Sequence, residues 1–314
     1  MVLHSLNPIS VNGLDSFSYY ENIVKSKQKE KKVILYGVKM KGGTLNYSSL
    51  YEIMKMKYKI FDTNLHQLEI LSAGTFAEDE KEALHHCYTS PTKALNDLKD
   101  TIIASQIPFY QNKCAYCGIG GIDSMDHYVP KEKYPEYSVH PLNLVPSCSK
   151  CNSKKSDLFI KNRCREIFNP YCDKEERQVL EITINQGDSP KKITFKIDYL
   201  HNSYKEHIVR LGIAKKYESE AINIFSSLTG ILISGFYGFS QDSSSLENYN
   251  KNMKKQLNKS ILEVRDERGI NSIDYLVYKA FYNSEYNDIK VLIEKLGNPN
   301  DNKHLLQFIE QTAK

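Results

Sequence analysis

Residues 114–157 read CAYCGIGGIDSMDHYVPKEKYPEYSVHPLNLVPSCSKCNSKKSD. Two Cys-x-x-Cys pairs, Cys114/Cys117 and Cys148/Cys151, bracket the step Asp126-His127. Each pair forms a knuckle that aims two sulfurs at one point, so four thiolates can close a tetrahedral Zn²⁺ site. Thirty residues separate Cys117 from Cys148, whereas a plain zinc ribbon uses about 15–20. The surplus holds the polar, metal-competent residues, among them Asp126, His127 and Asn143, and Asn152 follows the second knuckle. The pattern predicts a zinc-stapled frame carrying a second, working site.

The order Cys-x-x-Cys, Asp126-His127-Tyr128-Val129-Pro130, Asn143-Leu144-Val145 and Cys148-x-x-Cys151-Asn152 resembles the HNH endonuclease family in its zinc-supported form. That resemblance implies a ββα-metal finger and metal-dependent hydrolysis of phosphodiester bonds in nucleic acid, with DNA as the leading substrate. It also implies that Asn143 pins the loop and orients His127 rather than touching metal. A His is common at the family's last position, so Asn152 is a departure that leaves the choice of metal open.

The residues support the same chemistry on physical grounds. Phosphodiester hydrolysis needs an activated water, neutralised phosphoryl oxygens and help for the leaving oxygen. His127 has the ordinary pKa of a general base near neutrality. Asp126 is a hard oxygen ligand suited to Mg²⁺ or Mn²⁺, and the Asn152 amide oxygen, expected on a helix, can complete the protein ligands. Adjacent strand residues face opposite ways, so Asp126 and His127 cooperate only at a bend or a strand end. Two protein ligands leave room for water and phosphate, as Mg²⁺ requires, whereas a structural zinc is closed. Two metals are therefore expected: Zn²⁺ on the four cysteines, and a catalytic divalent ion at Asp126 and Asn152. The plainer readings are a surface turn at Asp126-His127, His140 as a rival base, and Asn143 as a turn residue.

Eight Lys/Arg against five Asp/Glu between Cys114 and Arg165 make this stretch basic, so phosphate contacts are expected from Lys150, Lys154 and Lys155. Such contacts position a strand without reading its sequence. No helix rich in Arg, Asn and Gln stands out, which predicts weak sequence preference.

Composition bounds the rest. A chain of 314 residues, 40% hydrophobic and 25% charged, belongs to the soluble globular class with room for more than one domain. Three regions are expected: 1–106 of mixed α+β character, 107–170 as the nuclease domain, and 171–314 as a β-hairpin followed by helices. The fold class is α+β. The net charge of +4 permits a polyanionic partner without demanding one. The opening MVLHSLNPIS carries no signal-peptide pattern, and an odd total of seven cysteines fits a reducing, cytoplasmic setting. Residues 221–241 are uncharged over a helical span, yet Asn223, Ser226, Ser227, Thr229 and Ser234 make them too polar for a membrane span. A buried helix is expected there, with no membrane association.

Local patterns predict a solvated loop over Lys25–Lys32, a strand over Val33–Met40, and a helix from Asn46 or Ser48 to about Ile60. Ser90-Pro91 reads as the start of a helix with its buried stripe at Ala94, Leu95, Leu98, Ile102 and Ile103. His85-His86-Cys87 looks like metal chemistry, but adjacent helical side chains diverge by about 100°, so a plain helix face is the better reading. Leu158–Phe168 is expected to be helical, Val179–Ile184 and Lys192–Asp198 to pair as a hairpin, and the remainder from Tyr204 to be helical.

A looser resemblance joins Asn169-Pro170-Tyr171 and HIVRLGIAKKYE (His207–Glu218) to the HNH subunits of Septu-type and retron-associated antiphage systems. It implies an ATPase partner and a nuclease held quiet until triggered. Two alternatives use the same residues: a ribonuclease acting on tRNA, for example, or a non-catalytic zinc module that docks nucleic acid or protein.

Overall fold

Helix α1 (Ser16–Lys25) starts where the Asp15 carboxylate accepts the Ser18 amide, and α3 (Ser49–Thr63) where the Ser48 hydroxyl accepts that of Tyr51. These caps satisfy amides that a first helical turn leaves without partners. The computed structural model describes residues 6–9, 15–40, 45–186, 193–200, 205–239 and 246–296. The chain divides into two compact units, Leu3–Lys174 and, apart from its first two residues, Glu175–Lys314. The N-terminal region and the cysteine-bracketed finger, expected as separate regions, thus lie in one unit.

Between α1 and α3 the structure departs from the sequence reading. Helix α2 (Lys29–Leu35) occupies part of the expected loop and strand, leaving only β1 (Gly37–Lys39), paired with β2 (Leu45–Tyr47). The β propensity of Val33 and Ile34 yields to tertiary packing, because the helix delivers Leu35 fully buried into the core. Lys27, expected in a solvated run, is buried. Its ammonium donates to the carbonyls of His86 (2.8 Å), Cys87 (3.2 Å) and Ser90 (2.6 Å) at the C-terminus of α4 (Glu78–Thr89), where a cation meets the negative end of the helix. Gly37 holds φ at +122°, and a Cβ there would lie 2.1 Å from the Asn46 carbonyl oxygen. Only glycine fits that turn.

Helix α5 (Lys93–Ala104) begins two residues later than expected, because Thr92 caps it and Ser90 instead ends α4. Leu95, Leu98 and Ile102 form its buried stripe. They join Phe17, Tyr20, Ile23, Met54, Tyr58 and Leu84 in one core that also takes Met125, Val139 and Leu144 from the finger. The N-terminal helices are therefore the finger's rear wall.

The finger consists of β3 (Ser124–His127) paired antiparallel with β4 (Leu144–Ser147), followed by α6 (Ser149–Lys155). The register sets Asp126 opposite Val145 and His127 opposite Leu144. Beyond it, the helix expected over Leu158–Phe168 is instead a small hairpin, β5 (Ile160–Lys161) with β6 (Cys164–Arg165). Asn162 and Arg163 turn it with φ of +51° and +60°, the left-handed backbone that two-residue hairpin loops need. Asn169-Pro170-Tyr171 fastens this end of the unit, with the buried Tyr171 hydroxyl donating to the Leu144 carbonyl at 2.6 Å.

The second unit opens on the expected hairpin, β7 (Leu180–Gln186) with β8 (Ile193–Tyr199). Helices α7 (Lys205–Arg210), α8 (Ile213–Phe239), α9 (Leu246–Arg268), α10 (Ile273–Tyr282) and α11 (Ile289–Leu296) complete it. On α8, Tyr217, Ala221, Phe225, Leu228 and Phe236 are buried, as an amphipathic helix in a soluble core requires. Among the described residues no helix is long and apolar enough to cross a membrane.

Candidate active site

The knuckles are built by tight turns. The Cys114 amide donates to the Gly120 carbonyl and the Gly118 amide to the Cys114 carbonyl, both at 2.8 Å. Gly118 takes φ of +69°, and a Cβ on Gly120 would lie 2.9 Å from Cβ of Cys148. Glycine at both places lets the two knuckles close. The four buried sulfurs of Cys114, Cys117, Cys148 and Cys151 all lie within 4.8 Å of one another, and Cys117 and Cys148 are 4.0 Å apart. Zinc–sulfur bonds of about 2.3 Å in a tetrahedron put sulfurs about 3.8 Å apart. The donor set fits Zn²⁺. Without a cation, four buried thiolates this close would repel one another.

Helix α6 is fastened at both ends, to Asp123 just before β3 and to Asp126 and His127 within it. At its N-terminus the Asp123 carboxylate accepts the Ser149 amide and, at 3.0 Å, the Ser149 hydroxyl, placing negative charge at the positive helix end. At its C-terminus Lys155 is fully buried. Its ammonium lies 3.0 Å from Oδ2 of Asp126 and donates to the His127 carbonyl at 2.7 Å. The same Oδ2 accepts the Tyr116 hydroxyl at 2.6 Å. Burial pushes the Asp126 carboxyl up and the Lys155 ammonium down, each opposed by the charge of the other.

His127 ends β3, which resolves the facing problem posed by adjacent strand residues. Its Nε2 lies 2.8 Å from the Ser138 carbonyl oxygen. A carbonyl can only accept, so Nε2 carries the hydrogen and Nδ1 is the basic nitrogen. Ser138 is itself held by its hydroxyl, which donates to the Leu84 carbonyl of α4 at 2.9 Å. Tyr88, also on α4, makes a T-shaped contact with the imidazole, centroids 4.3 Å apart. Burial lowers the His127 pKa to about 3, with Lys131, Lys155 and Lys99 adding to the effect, so the ring is neutral at pH 7.

Asp126, His127 and Asn152 line one open pocket of about 320 Å³, together with Tyr88, Met125, Pro130, Lys131, Glu132, Ser156 and Asp157. Residues 114–158 match the family model of the HNH endonucleases. The finger is an HNH endonuclease domain.

Two curated proteins are similar to parts of the chain. Protein ea31 of Escherichia phage lambda is 36% identical over 121 residues, covering 35% of this chain and 40% of that protein. The Septu protein PtuB of Bacillus thuringiensis is 29% identical over 103 residues, covering 31% of this chain and 39% of that protein. The chain thus matches about two fifths of each relative's length. No solved structure matches.

Within the HNH domain, Asn143 is fully buried and its amide closes the loop between the strands. Its Oδ1 accepts the Val129 amide (2.7 Å), while Nδ2 donates to the carbonyls of Val129 (3.1 Å) and Tyr137 (2.9 Å). Asn152 lies on α6 and reaches the pocket. A divalent ion would draw on Oδ1 of Asp126, since Tyr116 and Lys155 engage Oδ2, and on the Asn152 amide oxygen. Lys150 and Lys154 are exposed.

Lys155 is a correction. Expected at a phosphate backbone, it is instead the buried counter-charge of Asp126. His140 stands apart from the pocket, fully buried with its ring 4.4 Å from Tyr58 and 4.1 Å from Phe61, while its Nδ1 accepts the Leu142 amide. It packs the loop. Sequence reasoning missed Tyr116, Ser138, Tyr88 and Lys99. Only Tyr116 and Ser138 lie inside the motif, and none of the four has a spacing that marks it.

Proposed function

We propose that the chain is a metal-dependent HNH endonuclease that hydrolyses phosphodiester bonds of nucleic acid, DNA first among its substrates. We place it as the nuclease effector of an antiphage defence system, working beside an ATPase partner. The observation that carries the nuclease reading is the single pocket lined by Asp126, His127 and Asn152. The likeness to the Septu protein PtuB supports the defence setting, as do Asn169-Pro170-Tyr171 and the segment His207–Glu218.

His127 serves as general base through Nδ1, because the Ser138 carbonyl fixes the hydrogen on Nε2. An incoming phosphate brings negative charge to a buried imidazole, which favours the protonated form and raises its proton affinity toward the working range. Asn143 holds the loop that carries Ser138, and so positions the base without touching substrate. Asp126 and Asn152 would hold Mg²⁺ or Mn²⁺, which when bound supplies charge neutralisation at the phosphoryl oxygens and a place for the leaving oxygen. The cysteine cluster takes Zn²⁺ for folding, and Lys150 and Lys154 are exposed for backbone contacts.

The test is cleavage of plasmid, single-stranded DNA and total tRNA by the full chain with Mg²⁺ or Mn²⁺, alone and with the products of adjacent genes. His127→Ala should lower the rate by about 10²–10⁴-fold, the usual contribution of a general base, with zinc content and fold unchanged. Cleavage restricted to tRNA would move the substrate to RNA. Equal cleavage by the variant would remove His127 as the base, and none by the wild type in any mixture would leave the non-catalytic zinc module as the reading.

A further inference from the structure

Lys99 lies on α5, outside residues 114–158 that match the HNH family. Its ammonium stands 4.5 Å from the centre of the Tyr88 ring. The same ring lines the pocket and meets the His127 imidazole at 4.3 Å. One aromatic ring therefore meets the base in a T-shaped contact and carries a cation over its face.

Other lysines drawn into this unit meet oxygen. Lys27 donates to three carbonyls, Lys31 pairs with Glu82, Lys57 with Glu136, and Lys155 with Asp126. Lys99 is half-buried, and among the described residues it has neither an ion pair nor a hydrogen bond. Its pKa is lowered by burial, with no carboxylate to offset it. A π face attracts the charge but accepts little from the three N–H donors of an ammonium. The half-buried ammonium still reaches water, so it is open to an anion. Lys99 does not itself line the pocket, but an anion lying beside Tyr88 at its rim would supply the acceptor.

We infer that Lys99 binds a backbone phosphate of the nucleic acid held in this pocket, beside the scissile group, forming an anion subsite supplied by the N-terminal helices. The inference rests on the nuclease reading above. The subsite takes the phosphate of either DNA or RNA, since the ammonium is a point charge that reads neither base nor sugar. It also gives α5 a part in substrate binding that the family match does not cover.

The experiment is a salt titration of binding, followed by fluorescence anisotropy, with the full chain carrying His127→Ala so that the probe survives. The probes are a short fluorescent DNA duplex and an RNA duplex of matched sequence. Each phosphate contact contributes about one unit to the slope of log affinity against log salt. Lys99→Ala should flatten that slope by about one on the probe that binds and weaken binding at every sequence tested. Lys99→Arg should keep the parent slope. A folded Lys99→Ala protein with the parent slope would overturn the inference and leave Lys99 as packing for Tyr88. Failure of the parent to bind either duplex or its single strands, alone and with the products of adjacent genes, would instead sink the nuclease reading, and the inference with it.

Discussion

Four cysteine sulfurs lie buried within 4.8 Å of one another on one side of the finger, while the nearby Asp126 carboxylate carries its own cation, Lys155, at 3.0 Å. Both places gather negative charge inside the same small fold. The cysteine cluster is incomplete until a metal arrives, so its folding and its metal are one equilibrium. The Asp126 site is neutralised from within the chain, so its pocket can form before any divalent ion binds. Zinc should then be needed for structure, and magnesium or manganese for turnover alone.

The largest effect expected is that of Cys148→Ala. Structural zinc contributes about 10–16 kcal/mol of binding free energy, as much as the whole stability of a typical domain. The variant should lose its zinc by elemental analysis and lose hydrogen-exchange protection across the finger. A protein that stayed folded with full zinc would break the comparison on the cysteine side.

Lys155→Met comes next. It strands the buried Asp126 carboxylate, and breaking a buried pair from one side costs about 3–5 kcal/mol. Chemical denaturation should show that loss, and Asp126→Asn added to it should restore much of the stability. If the single variant were as stable as wild type, the internal counter-charge would not hold the pocket. Tyr116→Phe removes one hydrogen bond to the same carboxylate, for a smaller loss of about 1.5–3 kcal/mol. A loss equal to that of Lys155→Met would shift the weight of the site from the lysine to the phenol.

The smallest effect concerns His140, buried with its Nε2 3.3 Å from the half-exposed Asp62 carboxylate. Burial lowers its pKa, and Asp62 only partly opposes that. Its contribution to stability is therefore fully present above the ordinary histidine pKa of about 6.5 and is lost as pH falls below it, where the unfolded chain takes up the proton. His140→Gln should flatten the acid side of a stability-against-pH curve while changing little at pH 8. An unchanged acid slope would assign the loss to His127 and the carboxylates.

What the sequence made legible were the features that spacing controls. The knuckles, the Asp126-His127 step and the β7–β8 hairpin are written in residues close together along the chain, and local geometry follows from such spacing. Lys155 was not legible, because two lysines at the end of a short helix read as solvent-facing, and only the fold reveals that one turns inward under β3. Tyr88 and Lys99 reach the site from α4 and α5 by tertiary contact alone, which leaves no pattern along the chain. The hairpin at Asn162-Arg163 was masked by the apolar residues around it, although Asn in a two-residue turn was the available signal. The α2 helix replaced a predicted strand for a reason of packing, since Leu35 had a core to enter.

One feature of the core bears on how such a chain could be taken apart or recombined. Met125, Val139 and Leu144 of the finger pack into the same apolar cluster as Phe17, Tyr20, Met54 and Leu98. Excising residues 107–170 would bare that surface to water and remove Tyr88 from the flank of His127. The HNH domain is consequently not portable. Grafted onto a new host it would have to bring its first hundred residues along, and inheritance should favour keeping those helices and the finger together rather than trading either one singly.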